Sequence, residues 1–278
     1  MPSAIVIGEG TLPVQCAQLL TMSGWEVMAT CSPDERPRDW ASQTNVTHYA
    51  SVNDLAREQQ TFDYLFSVVN YKVLPDSLIT APRYLAVNYH DAPLPRYAGI
   101  RATMWALING EKEHGITWHV MTTEIDAGDI LKQVTFPIGD EDTSFQLNLR
   151  CYYAAIAAFR DLIGELENGT AVRIRQDLSQ RTYFPKKMRP ENDCLISWEW
   201  PADRIARFCR ALDFGPMPNA VGQPKALLDG QIVPVLQACT TGRPSTEAPG
   251  TVLERTAGSF RVATMTEDLV ISPQIPTA

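Results

Sequence analysis

From residue 4 to residue 90 the chain alternates short, strongly apolar runs with helix-patterned stretches, and this order constrains the fold more than any other feature. Residues 4–8 read as a strand, 12–23 as a helix and 25–31 as a strand. Ser51 is placed to cap a helix ending near Gln59, followed by a strand over 64–69, a short helix after Pro75 and a strand over 84–90. Parallel strands covered on both faces read as continuous apolar runs, so strand and helix in repeated alternation predict an α/β unit around a mostly parallel sheet. The pattern continues with a helix over 100–109, strands over 115–121 and 131–138, and a long helix over 143–166. In that helix Phe145, Leu149, Tyr152, Ile156, Phe159, Ile163 and Leu166 recur at spacings of four and three, with Asp142 or Thr143 placed to cap.

Near residue 185 the texture changes. Pro185, Lys186, Lys187, Met188, Arg189 and Pro190 form a basic, proline-flanked connector, and a helix over 201–212 opens with a proline. Short strands follow over 225–228, 231–236, 251–253, 260–265 and 269–271, with Asp229-Gly230 as a hairpin turn. The stretch 240–250, rich in Thr, Gly, Pro and Ser, reads as a mobile loop. This predicts a catalytic domain over 1–184, a connector over 185–200 and a small β-barrel over 201–278, for which 278 residues at 45% hydrophobic content suffice.

A formal charge of −8 argues against a nucleic-acid partner gripped by a basic surface. The six cysteines (Cys16, Cys31, Cys151, Cys194, Cys209, Cys239) include no close pair, which sets aside a zinc ribbon and points to reduced thiols and a cytoplasmic protein without metal. No run approaches the ~20 apolar residues of a membrane span.

Asn88 and His90 close the strand over 84–90, and the loop 91–99, with Pro93 and Pro95, follows. Open α/β sheets bind ligands at this carboxyl edge, and strand alternation sends Asn88 and His90 to one face. That pair suits acyl transfer. An amine attacking an acyl carbon creates an oxyanion that needs fixed donors and a leaving nitrogen that needs a proton. A third group must set the imidazole's charge, and loop 123–129 offers Asp126 and Asp129, with Gly128 allowing close backbone approach to a ligand.

Several segments together resemble the folate-dependent formyltransferases: Asn88-Tyr89-His90, Leu94-Pro95-Arg96-Tyr97-Ala98-Gly99, His114-Gly115-Ile116-Thr117 and Ile125-Asp126-Ala127-Gly128-Asp129-Ile130-Leu131. The resemblance implies a Rossmann-like formyltransferase domain with a central, mostly parallel sheet, followed by a small OB-like β-barrel subdomain. It also implies 10-formyltetrahydrofolate as co-substrate and Asn88, His90 and Asp126 as the catalytic set, leaving Asp129 a more structural place. The stretch Ser67 to Pro75 is similar to the family's loop whose backbone holds the pterin ring. Candidate folate contacts are therefore Val68, Val69, Asn70, Tyr71, Val73 and Leu74, joined by His119, Thr123 and Asp129. His119 also reads as an edge histidine satisfied by backbone, while His48 and His114 have no such argument.

The run Leu195-Ile196-Ser197-Trp198 and Gly215-Pro216-Met217-Pro218 resembles the start of the small barrel found in the tRNA, sugar and synthetase members and lacking in the purine-pathway ones. Residues 31–46 hold only Arg36 and Arg38, offset by Asp34, Glu35 and Asp39, so the basic insertion that grips tRNA is missing. The wording of 88–95 favours an aminoacyl group on a peptide-synthetase carrier domain, with further synthetase domains beyond the abrupt end at Pro276-Thr277-Ala278. A nucleotide-linked amino sugar is the alternative acceptor. The connector 181–189 is either a contact for a phosphate on the acceptor or a solvated linker. Three rivals stand further off: a hydrolase of 10-formyltetrahydrofolate, a non-catalytic folate-binding module, and a dinucleotide enzyme suggested by Gly8-Glu9-Gly10, which lacks a third glycine.

Overall fold

In the computed structural model, which describes residues 1–58 and 60–274, strand β1 (Ser3–Ile7) sends Ala4 and Val6 into one apolar core and Ile5 and Ile7 into a second. A strand buried on both faces has to be apolar throughout, which accounts for its sequence. The chain continues as α1 (Leu12–Met22), β2 (Glu26–Cys31), α2 (Glu35–Thr44), β3 (Thr47–Tyr49), α3 (Val52–Arg57), β4 (Tyr64–Ser67), α4 (Asp76–Ile79), β5 (Leu85–His90), β6 (Ala98–Gly99), α5 (Ala102–Ile108), β7 (Glu113–Val120) and β8 (Ile130–Pro137). After α6 (Ser144–Glu167) come β9 (Tyr183–Phe184), α7 (Ala202–Ala211), β10 (Lys225–Leu228), β11 (Gln231–Pro244), β12 (Val252–Arg255), β13 (Phe260–Val262) and β14 (Glu267–Pro273).

Two units divide the chain. The first comprises Met1–Ile100, His114–Phe136 and Arg150–Tyr183, and the second Arg101–Glu113, Pro137–Leu149 and Phe184–Ala278. The first unit is built on a seven-stranded sheet in the order β3-β2-β1-β4-β5-β7-β8. The first five of these strands run parallel and β7 runs antiparallel to β5. One face is covered through Leu12, Cys16 and Leu20 of α1 and Phe159, Leu162 and Ile163 of α6, the other through Leu55 of α3 and Leu78 of α4. Phe159 stacks on Trp118 at 4.6 Å and meets Phe66 edge-on at 5.1 Å. Each such side chain taken out of water contributes roughly 1.5–3 kcal/mol.

Several details differ from the sequence-based expectation. Helix α3 ends at Arg57, capped by Ser51 as read, while Gln59 lies outside the described residues, as do Pro276 to Ala278. In α6 the buried stripe is Leu147, Cys151, Ala155, Ala158, Phe159, Leu162, Ile163 and Leu166, and Leu149 is exposed. Small residues carry the close approach to the sheet, which a count of large aliphatics misses. The cap is a reciprocal box: Thr143 Oγ1 accepts from the Gln146 N–H, and Gln146 Oε1 accepts from the Thr143 N–H. Asp142 instead accepts from the Gly139 N–H at 2.6 Å.

In the second unit five antiparallel strands form an open order, β10-β11-β14-β13-β12. Strand β11 runs to Pro244, so Thr240 to Pro244, expected as the start of a mobile loop, is strand. Thr240 pairs with Leu269 and Thr241 Oγ1 donates to the Asp268 carbonyl at 2.7 Å, so cross-strand bonds override a turn-rich composition. Trp200 packs on Phe208 of α7 at 5.3 Å, with the Arg204 guanidinium over its ring at 4.2 Å from the centroid.

Candidate active site

Register places the site. At the carboxyl end of β5, Asn88 lies beside Ser67 of β4 and opposite His119 of β7, while His90 lies opposite Thr117. The Asn88 amide nitrogen is 3.1 Å from His119 Nε2, and His119 Nδ1 is 3.0 Å from the Val120 carbonyl. His90 is buried, with Nε2 2.8 Å from the Tyr97 carbonyl. Asp126, in the left-handed region at φ 54°, accepts the Gly99 N–H at 2.8 Å. Its two carboxylate oxygens lie 3.5 Å from His119 Nε2 and 3.9 Å from His90 Nδ1, and Asp91 Oδ1 is also 3.9 Å from His90 Nδ1. One cluster therefore contains Asn88, His90, His119 and Asp126.

The tautomers follow from the acceptors. Only an N–H can face a carbonyl, so His90 carries a proton on Nε2 and His119 one on Nδ1. With its proton on Nδ1, His119 presents Nε2 as the acceptor of the Asn88 amide N–H. Burial lowers the pKa of His90, but the charges of Asp126 and Asp91 and the Tyr97 carbonyl outweigh burial and leave it above the ordinary imidazole value. Burial raises Asp126, yet His90, the His119 contact and the Gly99 N–H hold it far below the carboxylate range. His114, fully buried, is pushed down to about 4 by burial and is neutral, its Nε2 2.7 Å from the Asp91 carbonyl.

Of the two acids in the loop, Asp126 faces the imidazoles, while Asp129 contributes its backbone carbonyl to the Val120 N–H at 2.8 Å. A Cβ at Gly128 would lie 1.9 Å from the Val120 carbonyl oxygen, so the backbone here passes against strand β7 at a distance that only glycine permits. Thr123 is exposed in the same loop.

The 68–74 segment leaves β4 next to Asn88. Val68 and Leu74 are buried in the two cores, so their side chains are unavailable to a ligand. Val69 adopts φ 53°, and its carbonyl accepts the Glu9 N–H at 3.2 Å. Asn70 is folded onto its own loop, donating to the Lys72 carbonyl at 3.0 Å and accepting the Lys72 N–H at 3.1 Å. Tyr71 and Val73 are 63% and 79% exposed.

The Gly8-Glu9-Gly10 turn does not serve a dinucleotide. Its N–H groups donate to the Cys31 carbonyl, the Val69 carbonyl and the Asp34 carboxylate, at 3.1, 3.2 and 2.7 Å. A pyrophosphate would meet Asp34 instead of donors. In the basic connector, Arg181 donates to the Ile125 carbonyl at 2.8 Å and Arg189 pairs with Asp193 at 2.7 Å. Among the described residues no group of three or more His, Cys, Asp or Glu is placed to hold a metal ion, and no helix is long and apolar enough to cross a membrane.

An open α/β sheet that gathers an amide, two imidazoles and a carboxylate at its carboxyl edge has the layout of a group-transfer enzyme. Residues 27–162 match the formyl transferase family, and residues 188–275 match the formyl transferase C-terminal domain. The methionyl-tRNA formyltransferase of Halalkalibacterium halodurans is 33% identical over 226 residues, covering 80% of this chain and 69% of that protein. That of Alkaliphilus oremlandii is 25% identical over 278 residues, covering 94% and 87%. Among solved structures, the sugar 3N-formyl transferase WlaRD, determined with dTDP and 5-N-formyl-THF, superposes with a TM-score of 0.74 over 100% of this chain and 99% of that one, at 18% identity. The chain belongs to the formyl transferase family.

Proposed function

We propose that this chain transfers a formyl group from 10-formyltetrahydrofolate to a primary amine through Asn88, His90 and Asp126. The observation that carries the reading is the chain of contacts at the end of β5: Asn88 to His119 at 3.1 Å, His119 to Asp126 at 3.5 Å and Asp126 to His90 at 3.9 Å. The amine attacks in its neutral form, the formyl oxygen takes negative charge, and the bond from carbon to the folate nitrogen breaks. One Asn88 amide hydrogen is held by His119, and the other is directed at the oxyanion. Asp126, held far below the carboxylate range, is a weak base, and its charge favours the protonated form of His90. With Nε2–H on the Tyr97 carbonyl, the proton His90 can give is on Nδ1. It passes to the departing nitrogen, and the proton shed by the attacking amine restores the imidazolium.

The exposed 69–73 loop, beginning beside Asn88, is where the pterin ring would rest, with Asn70 setting the loop's shape. Val68 and Leu74 contribute through the cores behind it.

For the acceptor, the reading favoured by the 88–95 segment is an aminoacyl group on a peptide-synthetase carrier domain. A nucleotide-linked amino sugar is the second reading, favoured by the full-length likeness to WlaRD. Against a tRNA stands the charge balance at the start of α2, where Arg36 lies 3.2 Å from Asp34 and Arg38 lies 3.3 Å from Glu35 and 3.6 Å from Asp39, so acids accompany both cations.

Incubation with 10-formyltetrahydrofolate and each of an aminoacyl carrier domain, dTDP-amino sugars and methionyl-tRNA tests these readings. Tetrahydrofolate release coupled to formylation of the carrier-bound amine is expected. Equal release without any amine would mean hydrolysis, and formylation of the tRNA alone would overturn the acceptor assignment.

A further inference from the structure

Residues 163–187 lie between the two regions that match the family. Within that interval Gln176 is only 7% exposed. Its amide nitrogen donates to the carbonyl of Asp126 at 3.0 Å and to that of Gly128 at 2.6 Å. Both partners are carbonyls, so the orientation of the amide is fixed. Its own oxygen makes no hydrogen bond among the described residues, so the donated pair is the side chain's whole polar contribution. Five residues on, Arg181 donates to the Ile125 carbonyl at 2.8 Å. Next to it, Thr182 Oγ1 accepts the Tyr97 N–H at 2.7 Å and the Thr182 carbonyl accepts the Ala98 N–H at 2.9 Å.

The segment 176–182 thus holds both loops that define His90. One carries the Asp126 carboxylate, and the other carries the Tyr97 carbonyl against His90 Nε2. Asp126 and Tyr97 both sit in the left-handed region, at φ 54° and 62°. A non-glycine residue there costs about 1 kcal/mol or more and stays only where its surroundings over-determine it. The bonds from Gln176, Arg181 and Thr182 supply that determination at both places.

We infer that Gln176 is a positioning residue for formyl transfer: its two donated hydrogen bonds fix the backbone of the Asp126 loop so that the carboxylate stays between His90 and His119. Thr182 does the matching work for Tyr97. The inference rests on the catalytic assignment of His90 and Asp126 given above.

The test compares wild type, Gln176→Met, Thr182→Val and Asp126→Asn by formyl-transfer kinetics and by 15N NMR titration of the four histidines, with His90 assigned from its absence in His90→Asn. Gln176→Met keeps the volume and removes only the two donors. Its kcat should fall roughly 10- to 100-fold, the order expected for a small misplacement of a reacting group. KM for the folate should stay within about twofold, the melting temperature should fall by several degrees with folding kept cooperative, and the His90 titration should move to lower pH as Asp126 drifts from it.

A wild-type kcat together with an unmoved His90 titration in Gln176→Met overturns the inference. If that variant does not fold, Thr182→Val is read by the same two measurements, and wild-type values there overturn it. Should Asp126→Asn leave both kcat and the His90 titration unchanged, the catalytic reading itself fails, which separates the two ideas.

Discussion

The end of β5 and the loop after β4 begin from a register pair, Asn88 and Ser67, and are built in opposite ways. Around Asn88 and His90 the Asn88 amide nitrogen and both His90 ring nitrogens face groups from other segments, His119, the Tyr97 carbonyl and Asp126, and Asp126 is itself held by the Gly99 N–H. In the loop from Val69 to Val73 Asn70 is bonded to Lys72 and the Val69 carbonyl takes the Glu9 N–H, while Tyr71 and Val73 are 63% and 79% exposed. Groups that must face charge as it develops gain from being fixed beforehand, whereas a ring bound through its faces and edge needs mainly an accessible shelf. Damage to the first region should therefore appear in kcat, and damage to the second in KM.

The largest effect is expected for Asp126→Asn, a fall in kcat of about 10²–10⁴, with folate binding retained. The pH behaviour has a definite sign. His90 lies above its ordinary pKa because of Asp126, Asp91 and the Tyr97 carbonyl, so losing one charge should lower it. The stability from raised His90 is fully present below the ordinary imidazole value and disappears as pH rises through the raised one. The stability from depressed Asp126 is present above the ordinary carboxylate value and is lost on acidification. Denaturant unfolding of wild type and variant should therefore differ most between those limits, and the difference should narrow as pH rises through the raised His90 value and as it falls through the depressed Asp126 one. An equal difference at every pH would show that the pair is not coupled.

A smaller effect is expected for His119→Phe. Asn88 would lose the partner that orients its amide, and kcat should fall about tenfold, the order of one misdirected hydrogen bond, with KM for the folate little changed. A change confined to KM would instead make His119 a folate contact. The smallest effect belongs to Tyr71→Ala, expected to raise KM for the folate by a few-fold at constant kcat. Loss of kcat there would erase the contrast between the two regions.

Strand β5, the common face of Asn88 and His90 and the acidic loop were legible because each depends on local pattern: period-2 alternation, a proline-rich exit and a glycine beside carboxylates. What fixes them was not legible. The Tyr97 carbonyl that sets the His90 tautomer is a backbone group, identical in every residue, and it is aimed by a left-handed φ. Gln176 acts on residues 48 and 50 positions away, and one isolated glutamine carries no signal of that. Choosing between Asp126 and Asp129 needs the family likeness, because local pattern gives the two acids of one loop equal standing; of the two, Asp126 has its carboxylate within 3.5 and 3.9 Å of the His119 and His90 nitrogens. In α6 the stripe of Ala and Cys hid the buried face, and in β11 cross-strand pairing turned a loop-like composition into strand.

The central claim is that Asn88 and His90 act on the transferring formyl group rather than on the binding of its carrier. Single-turnover transfer at saturating 10-formyltetrahydrofolate, measured for Asn88→Ala beside the folate Kd, tests it most directly. The expected result is a rate lower by about 10²–10³ at an unchanged Kd. A rate within a few-fold of wild type, or a loss explained by weaker folate binding alone, would contradict it.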